Sequence, residues 1–130
     1  MAIHLVPANW FKDIIMRFKV LQIQIDRSVS ECVNTLGHCG AAAQYPEYAA
    51  RMETSFKGSL GYLPEYSVYY KPVCEIDAVD LDDVFKIGNI GPEASITRLA
   101  PMHSVSVGDI IENTAGTQYM VDSFGFKEIV

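Results

Sequence analysis

Polar side chains that could carry out catalysis or bind a ligand are concentrated near the C-terminus of the sequence. A serine nucleophile, a histidine base and an orienting carboxylate are the parts of a hydrolase, so a hydrolase centred on His103 with Asp109 or Asp122 is one hypothesis. Serine and aspartate beside glycine are also what turns use to bond their own backbone, and no strand-to-helix elbow surrounds the serines. The pattern favours structural turns that form a binding rim, and we assign no catalytic residue. The residues concerned are His103, Ser104, Ser106, Asp109, Asp122 and Ser123.

A second hypothesis is a small-molecule site. The loop Gly88–Pro92 is rich in glycine, and the turn that begins at His103 is rich in small polar residues. Backbone N–H groups in such loops can hold an anion without any basic motif. The two segments predict a protein that sequesters a small molecule or nucleotide signal, with ligand-binding residues Asn89, Gly91, His103, Ser104, Ser106 and Asp109.

A third hypothesis is a partner-binding surface. Five carboxylates fall within nine residues that include no lysine or arginine, and four of the seven tyrosines lie between Tyr62 and Tyr70. Negative charge can attract a basic partner, and tyrosines give large contact areas at low entropic cost. The alternative is a solvated strand end followed by a helix cap. The predicted partner-binding residues are Glu75, Asp77, Asp80, Asp82, Asp83 and Tyr69, the last of which is predicted to face outward.

The sequence predicts neither a cofactor nor a metal site. Cys32, His38, Cys39 and Cys74 have suitable chemistry for zinc, but they contain no Cys-x-x-Cys pair, and two of the cysteines fall on apolar faces. The acidic segment lacks the glycine and final glutamate of an EF-hand. The common phosphate-binding and zinc-protease motifs are absent as well.

Size and composition indicate one folded domain. The chain has 130 residues, of which 49% are hydrophobic and 20% charged. Its net charge of −6 divides into +1 for residues 1–60 and −7 for residues 61–130, which argues against direct binding of nucleic acid. No apolar run approaches the roughly 20 residues of a membrane span. The N-terminus does not resemble a signal peptide, so a cytoplasmic location is expected.

The predicted elements follow in order after an N-terminal extension, residues 1–15, and form a single domain over residues 16–130. In the first strand, Gln22 and Gln24 alternate with apolar residues and mark a polar face. Phe18 and Val20 are apolar although they share the parity of Gln22, which indicates either a bulge near Val20 or a strand covered on both faces. A helix capped by Ser28 is expected to stop at Gly37. Next come a Gly/Ala-rich link over 37–43, a helix from Pro46 to Gly58, a strand from Glu65 to Ala78 and a helix from Asp80 to Gly88.

Pro72 interrupts the predicted strand 65–78, so this strand is expected to lie at a sheet edge or to bulge. An edge there predicts dimerisation, docking of a partner or cover by residues 1–15. A hairpin is predicted from segments 109–112 and 118–122, with Gly116 in its loop, and a last strand over 126–130. The fold class is therefore α+β, with two to three short helices packed on a mainly antiparallel sheet and a C-terminal β meander.

Several of these segments resemble small uncharacterised proteins encoded by tailed phages and other bacterial mobile elements. The ending 121–126 is similar to the C-terminal signature of YodL-like domains, and the resemblance covers about residues 16–130. It implies a small acidic, non-enzymatic protein that binds and inhibits or redirects a bacterial host protein, for example a defence complex, in the host cytoplasm. The segments that carry the resemblance are 17–23, 80–85, 87–93, 100–109 and 121–126.

Overall fold

Six antiparallel strands form the central sheet, in the order β3-β2-β1-β4-β5-β6. The computed structural model describes residues 14–129. The predicted α+β class with a C-terminal meander is confirmed. The strands are β1 (Met16–Ile23), β2 (Tyr70–Ala78), β3 (Ile96–Arg98), β4 (Ile110–Glu112), β5 (Gln118–Val121) and β6 (Phe126–Ile129), and the helices are α1 (Arg27–Gln44), α2 (Pro46–Lys57) and α3 (Leu81–Ile90).

Both faces of the sheet carry core residues. Ile110 and Ile111 are adjacent on β4, so their side chains point to opposite faces. Ile111 belongs to a buried cluster that includes Val84 and Ile87 of α3, whereas Ile110 packs in a second cluster with Ala50 of α2. Helix α3 therefore covers one face and α2 part of the other.

A β-bulge lies where β1 pairs with β2. Val20 is opposite Cys74 and Leu21 is opposite Pro72, so Val73 is the extra residue. The bulge predicted near Val20 is confirmed, and it accommodates a proline that cannot donate to the ladder. Because β2 lies between β3 and β1, the prediction of docking or dimerisation along an exposed edge of β2 is wrong.

The predicted strand 65–78 begins five residues late. Pro64–Tyr69 forms a 3-10 turn, and the strand starts at Tyr70. Tyr69 is half-buried and packs on the cluster beneath α2, so the prediction that it faces outward is wrong. The turn breaks the two-residue alternation and exposes Val68 instead, at 74%.

Two predictions for the first helix are wrong. The N-cap is Asp26, whose Oδ1 accepts from the N–H of Val29 at 3.0 Å, and not Ser28. The chain kinks at Gly37, where φ is +75°, but then continues as helix to Gln44. The predicted Gly/Ala-rich link is thus helical, as its alanines favour.

The remaining boundaries are closer to expectation. Helix α2 begins at Pro46 and is capped by Gly58, as predicted. Asp80 caps α3 by accepting from the N–H of Asp83 at 2.8 Å, as predicted, but the helix runs past Gly88 to Ile90. The hairpin of β4 and β5 and the last strand β6 are confirmed. Residues 1–13 of the predicted N-terminal extension lie outside the described residues.

Among the helices of residues 14–129, none combines the length and the apolar character needed to cross a membrane. Within the same residues, no three His, Cys, Asp or Glu side chains come together as a metal site would require. Cys74 is fully buried in the core, and this burial raises the pKa of its thiol to about 11.

Candidate functional site

The connection from β3 to β4 carries four of the six residues of the hydrolase hypothesis, and the same four belong to the six of the ligand-binding hypothesis. Because β2 and β1 lie between these two strands, the connection 99–109 must cross both of them. Val105 is buried in the middle of this crossover and belongs to the same core cluster as Val84 and Ile87 of α3. The crossover therefore lies on the face that α3 covers.

Gln22 of β1 holds the crossover to the sheet. Its Nε2 donates to the carbonyl of His103 at 2.9 Å and to Oδ2 of Asp109 at 3.0 Å, and its Oε1 lies 3.3 Å from the N–H of His103. Only 1% of Gln22 is exposed. The prediction that Gln22 lies on the polar face of its strand is therefore wrong.

Two further side chains fix the crossover, one at its middle and one near its C-terminal end. Asn89 of α3 donates from Nδ2 to the carbonyl of Val105 at 2.9 Å. The hydroxyl of Tyr70 donates to the carbonyl of Gly108 at 2.6 Å, in a buried position. A loop anchored by side chains from three different elements presents its polar groups in a fixed arrangement.

Asp109 is a buried carboxyl with only 5% of its surface exposed. Its Oδ2 accepts from Gln22 and from the N–H of Ser106 at 2.9 Å. Burial raises the pKa of Asp109 to about 7, against the hydrogen bonds from Ser106 and Gln22 and the charge of Arg51, which lower it. A proton on this carboxyl belongs on Oδ1, because Oδ2 already accepts twice.

His103 faces Asp109 across a gap. Its Nε2 lies 3.9 Å from Oδ1 of Asp109, while its Nδ1 is 2.7 Å from the carbonyl of Ser104 and must donate to it. The Nε2 atom is buried and has no hydrogen-bond partner among residues 14–129. Burial lowers the pKa of His103, and the nearby positive charge of Arg51 lowers it further. In the neutral ring, Nε2 is therefore an acceptor without a donor.

A groove opens beside this pair. One cleft of about 490 Å³ is lined by Thr54, Tyr70 and Asp109, together with Ile23, Arg51 and His103. A second cleft of about 500 Å³ shares Ile23, Arg51 and His103 with the first. We call the two together the Arg51–His103 groove. It separates α2 from the crossover.

The predicted ligand-binding residues fall on two sides of His103. Ser106 and Asp109 line the Arg51–His103 groove, whereas Asn89, Gly91 and Ser104 line a cleft of about 270 Å³ next to α3, and His103 borders both. The six residues therefore line two separate clefts, and His103 is the member that the clefts share.

The residues of the hydrolase hypothesis are only partly brought together. Asp122 accepts from the N–H and the hydroxyl of Ser59, at 2.6 and 2.8 Å, and does not line the groove. The hydroxyl of Ser106 donates to the carbonyl of Ser104 at 2.8 Å. Within residues 14–129, no serine, threonine or cysteine side chain is hydrogen-bonded to His103.

The predicted partner-binding residues do not form one patch. Arg17 of β1 lies 3.1 Å from Asp77 and 3.9 Å from Glu75, so a neighbouring strand supplies the positive charge that the acidic segment lacks. Asp80 and Asp83 serve as caps, and only Asp82 has neither an ion pair nor a capping role in the described part of the chain. Tyr69 precedes Asp77 by eight mostly extended residues, roughly 26 Å.

Sequence reasoning missed Gln22, Arg51 and Tyr70 at this site. A signal existed for Gln22, because Phe18 and Val20 share its parity and are apolar, which favours cover on that face. For Arg51 the local sequence carries no signal, since its place in the groove arises from the packing of α2 on β1.

Comparisons of the chain with protein-family models, with curated proteins and with solved structures find no match.

Proposed function

We propose that this is a non-enzymatic binding protein that holds a small polar ligand in the Arg51–His103 groove. The observation that carries the proposal is the buried Nε2 of His103, a residue that lines the groove. This atom has no hydrogen-bond partner among the described residues. A buried polar atom left unpaired costs about 1–3 kcal/mol, so a ligand group that pairs with it gains affinity. The neighbouring Oδ1 of Asp109 offers a second polar contact.

The rigidity of the walls supports binding. Gln22, Asn89 and Tyr70 hold the crossover from three elements, so little conformational entropy remains to be lost when a ligand binds. The lack, among the described residues, of a nucleophile hydrogen-bonded to His103 favours binding over hydrolysis, because an activated serine or cysteine needs a base within reach.

Thermal unfolding with a panel of ligands tests this proposal. The panel contains nucleotides, nucleosides, neutral sugars and carboxylic acids. A ligand at 100 times its dissociation constant stabilises the native state by roughly 2.7 kcal/mol, which corresponds to about 10 °C in Tm for a domain of this size. We expect at least one member to give such a shift, and we expect the shift to be lost in His103→Ala.

The matched control is His38→Ala, which removes an exposed imidazole that stacks on Tyr48 of α2 and does not line the groove. Its ligand-induced shift should equal that of the wild type. A panel without any stabilising member, or an equal shift in His103→Ala, would contradict the proposal.

A second candidate function is binding of a bacterial host protein, which the resemblance to phage proteins implies. The specific observation is Asp82, which is exposed at the start of α3 and has no ion pair in the described part of the chain. It lies one turn before Phe85, which is 39% exposed. An acidic side chain beside an aromatic one suits a basic partner with an apolar contact. Such a partner would be met in the host cytoplasm.

Asp82→Lys tests the second candidate without disturbing the helix cap, which Asp80 and Asp83 form. Affinity capture from bacterial lysate is compared for the wild type, for Asp82→Lys and for Glu128→Lys, which makes the same charge change on exposed β6. We expect a protein that the wild type and Glu128→Lys retain and that Asp82→Lys loses. Equal retention by all three proteins would reject this surface.

A further inference from the structure

We infer that the ligand of the Arg51–His103 groove carries an oxyanion, a phosphate or a carboxylate, and that Arg51 binds it. This inference rests on the proposed function, because it names the chemistry of the ligand in the same groove. It assigns to Arg51, a residue without any sequence signal, the main role in recognition.

Arg51 differs from the other described arginines. Arg17, Arg27 and Arg98 lie 3.1, 3.0 and 2.6 Å from the carboxylates of Asp77, Glu31 and Glu93. Among residues 14–129, no carboxylate lies within 4.0 Å of Arg51, whose one hydrogen bond runs from Nη1 to the carbonyl of Ile23 at 3.4 Å. A guanidinium has five N–H donors, so most of them are free to bind a ligand.

The groove gathers positive charge in a protein whose net charge is −6. Lys71 of β2 lines the second cleft together with Arg51 and His103, and within the described residues it too has no carboxylate within 4.0 Å. The potential of a cleft is set by the charges that line it, and concave walls concentrate that potential. An anion is therefore attracted to this groove although the surface as a whole is acidic.

Two carboxyl groups also line the groove, and both are already engaged. Asp26 accepts from the N–H of Val29 at the start of α1. Asp109 accepts from Gln22 and Ser106, and its pKa of about 7 leaves it partly protonated near neutral pH. The repulsion of a bound anion by Asp109 is therefore reduced.

The geometry of arginine suits an oxyanion. Its planar fork matches two oxygens of a phosphate or carboxylate, which a lysine ammonium cannot do. Loss of such a contact weakens binding by about 10-fold or more. Arg51→Lys keeps the charge without the fork, so we expect its affinity to fall between those of the wild type and Arg51→Gln.

The test measures binding of inorganic phosphate and of acetate to the full chain by NMR titration, with sodium chloride holding the ionic strength constant. We expect at least one anion to bind the wild type and to bind Arg51→Gln about 10-fold more weakly. The anion that binds tells phosphate from carboxylate. Arg27→Gln is the matched control, because Arg27 is exposed and paired with Glu31 on α1, and its affinity should not change.

The Tm of each variant without anion shows whether it is folded. If Arg51→Gln does not fold, weaker binding by Arg51→Lys than by the wild type supports the inference, and equal binding overturns it. Absence of binding by the wild type, or equal affinity in Arg51→Gln, also overturns it. If the inference is overturned, the proposed function still stands when a neutral ligand stabilises the wild type but not His103→Ala.

Discussion

Asp109→Asn is expected to make the protein more stable at pH 8, by about 2–4 kcal/mol in the free energy of unfolding. Asparagine has the shape of a protonated aspartic acid. Its carbonyl oxygen can accept from Gln22 and Ser106 as Oδ2 does, and its NH₂ group then points at the Nε2 of His103. Urea unfolding of both proteins at pH 5.5 and pH 8 measures the difference.

The pH dependence follows from the pKa of Asp109, which burial raises from 3.8 in the unfolded chain to about 7 in the folded protein. Between pH 3.8 and pH 7 the unfolded chain releases a proton that the folded protein retains. The native state therefore loses stability as the pH rises toward 7. Roughly three pKa units correspond to about 4 kcal/mol at most. Because asparagine does not titrate, the advantage of Asp109→Asn should be about 2 kcal/mol smaller at pH 5.5 than at pH 8.

Asp122→Asn is the matched control for this substitution. Asp122 is half-buried, and its two oxygens accept from the N–H and hydroxyl of Ser59. Replacing one of those oxygens by an NH₂ group loses an acceptor, so this variant should be about 1–2 kcal/mol less stable than the wild type. If Asp109→Asn also proved less stable at pH 8, ionised Asp109 would cost the native state nothing, so its pKa would not be raised and the assignment of a proton to Oδ1 near neutral pH would be wrong.

The parts of the fold that local sequence could predict are those governed by local physics. The caps at Asp80 and Gly58 and the loop of the β4–β5 hairpin depend on neighbours within a few residues, and all three were predicted. The bulge was predicted as well, because Pro72 cannot donate to the ladder inside a strand. The apolar residues on the second face of β1 reflect cover on both faces of the sheet. Fold class follows from the order of such elements.

The site depends on contacts between residues far apart in the chain. Gln22 bonds to His103 and Asp109, which lie 81 and 87 residues away. A polar residue in a strand is normally a sign of a solvated face, and only the crossover, which arises from the strand order, turns that face into an interior. Arg51 reaches the groove through the packing of α2. The charge of the acidic segment also depends on a distant residue, since Arg17 pairs with Asp77 and Glu75 across a strand pair.

Gly108→Ala is expected to lower the free energy of unfolding by about 2–5 kcal/mol. Gly108 has a φ of +94°, which strains any residue with a side chain, and an added Cβ would lie 2.9 Å from the carbonyl carbon and oxygen of Thr54. Those atoms belong to the backbone of α2 and cannot move away as a side-chain tip would. Moving the crossover instead would weaken the hydrogen bond from Tyr70 to the carbonyl of Gly108. Urea unfolding measures the cost.

Gly116→Ala separates the two causes of this loss. Gly116 has a comparable φ of +85° in the β4–β5 hairpin, but an added Cβ meets no atom within 4 Å. Its substitution should therefore cost only the backbone strain, about 1–2 kcal/mol. The excess cost at Gly108 then measures how closely the crossover approaches α2, which is the distance that sets the width of the Arg51–His103 groove. Equal costs at the two glycines would mean that the crossover can move away from α2 freely, and a groove with so mobile a wall could not hold His103 and Arg51 in a fixed arrangement around a ligand.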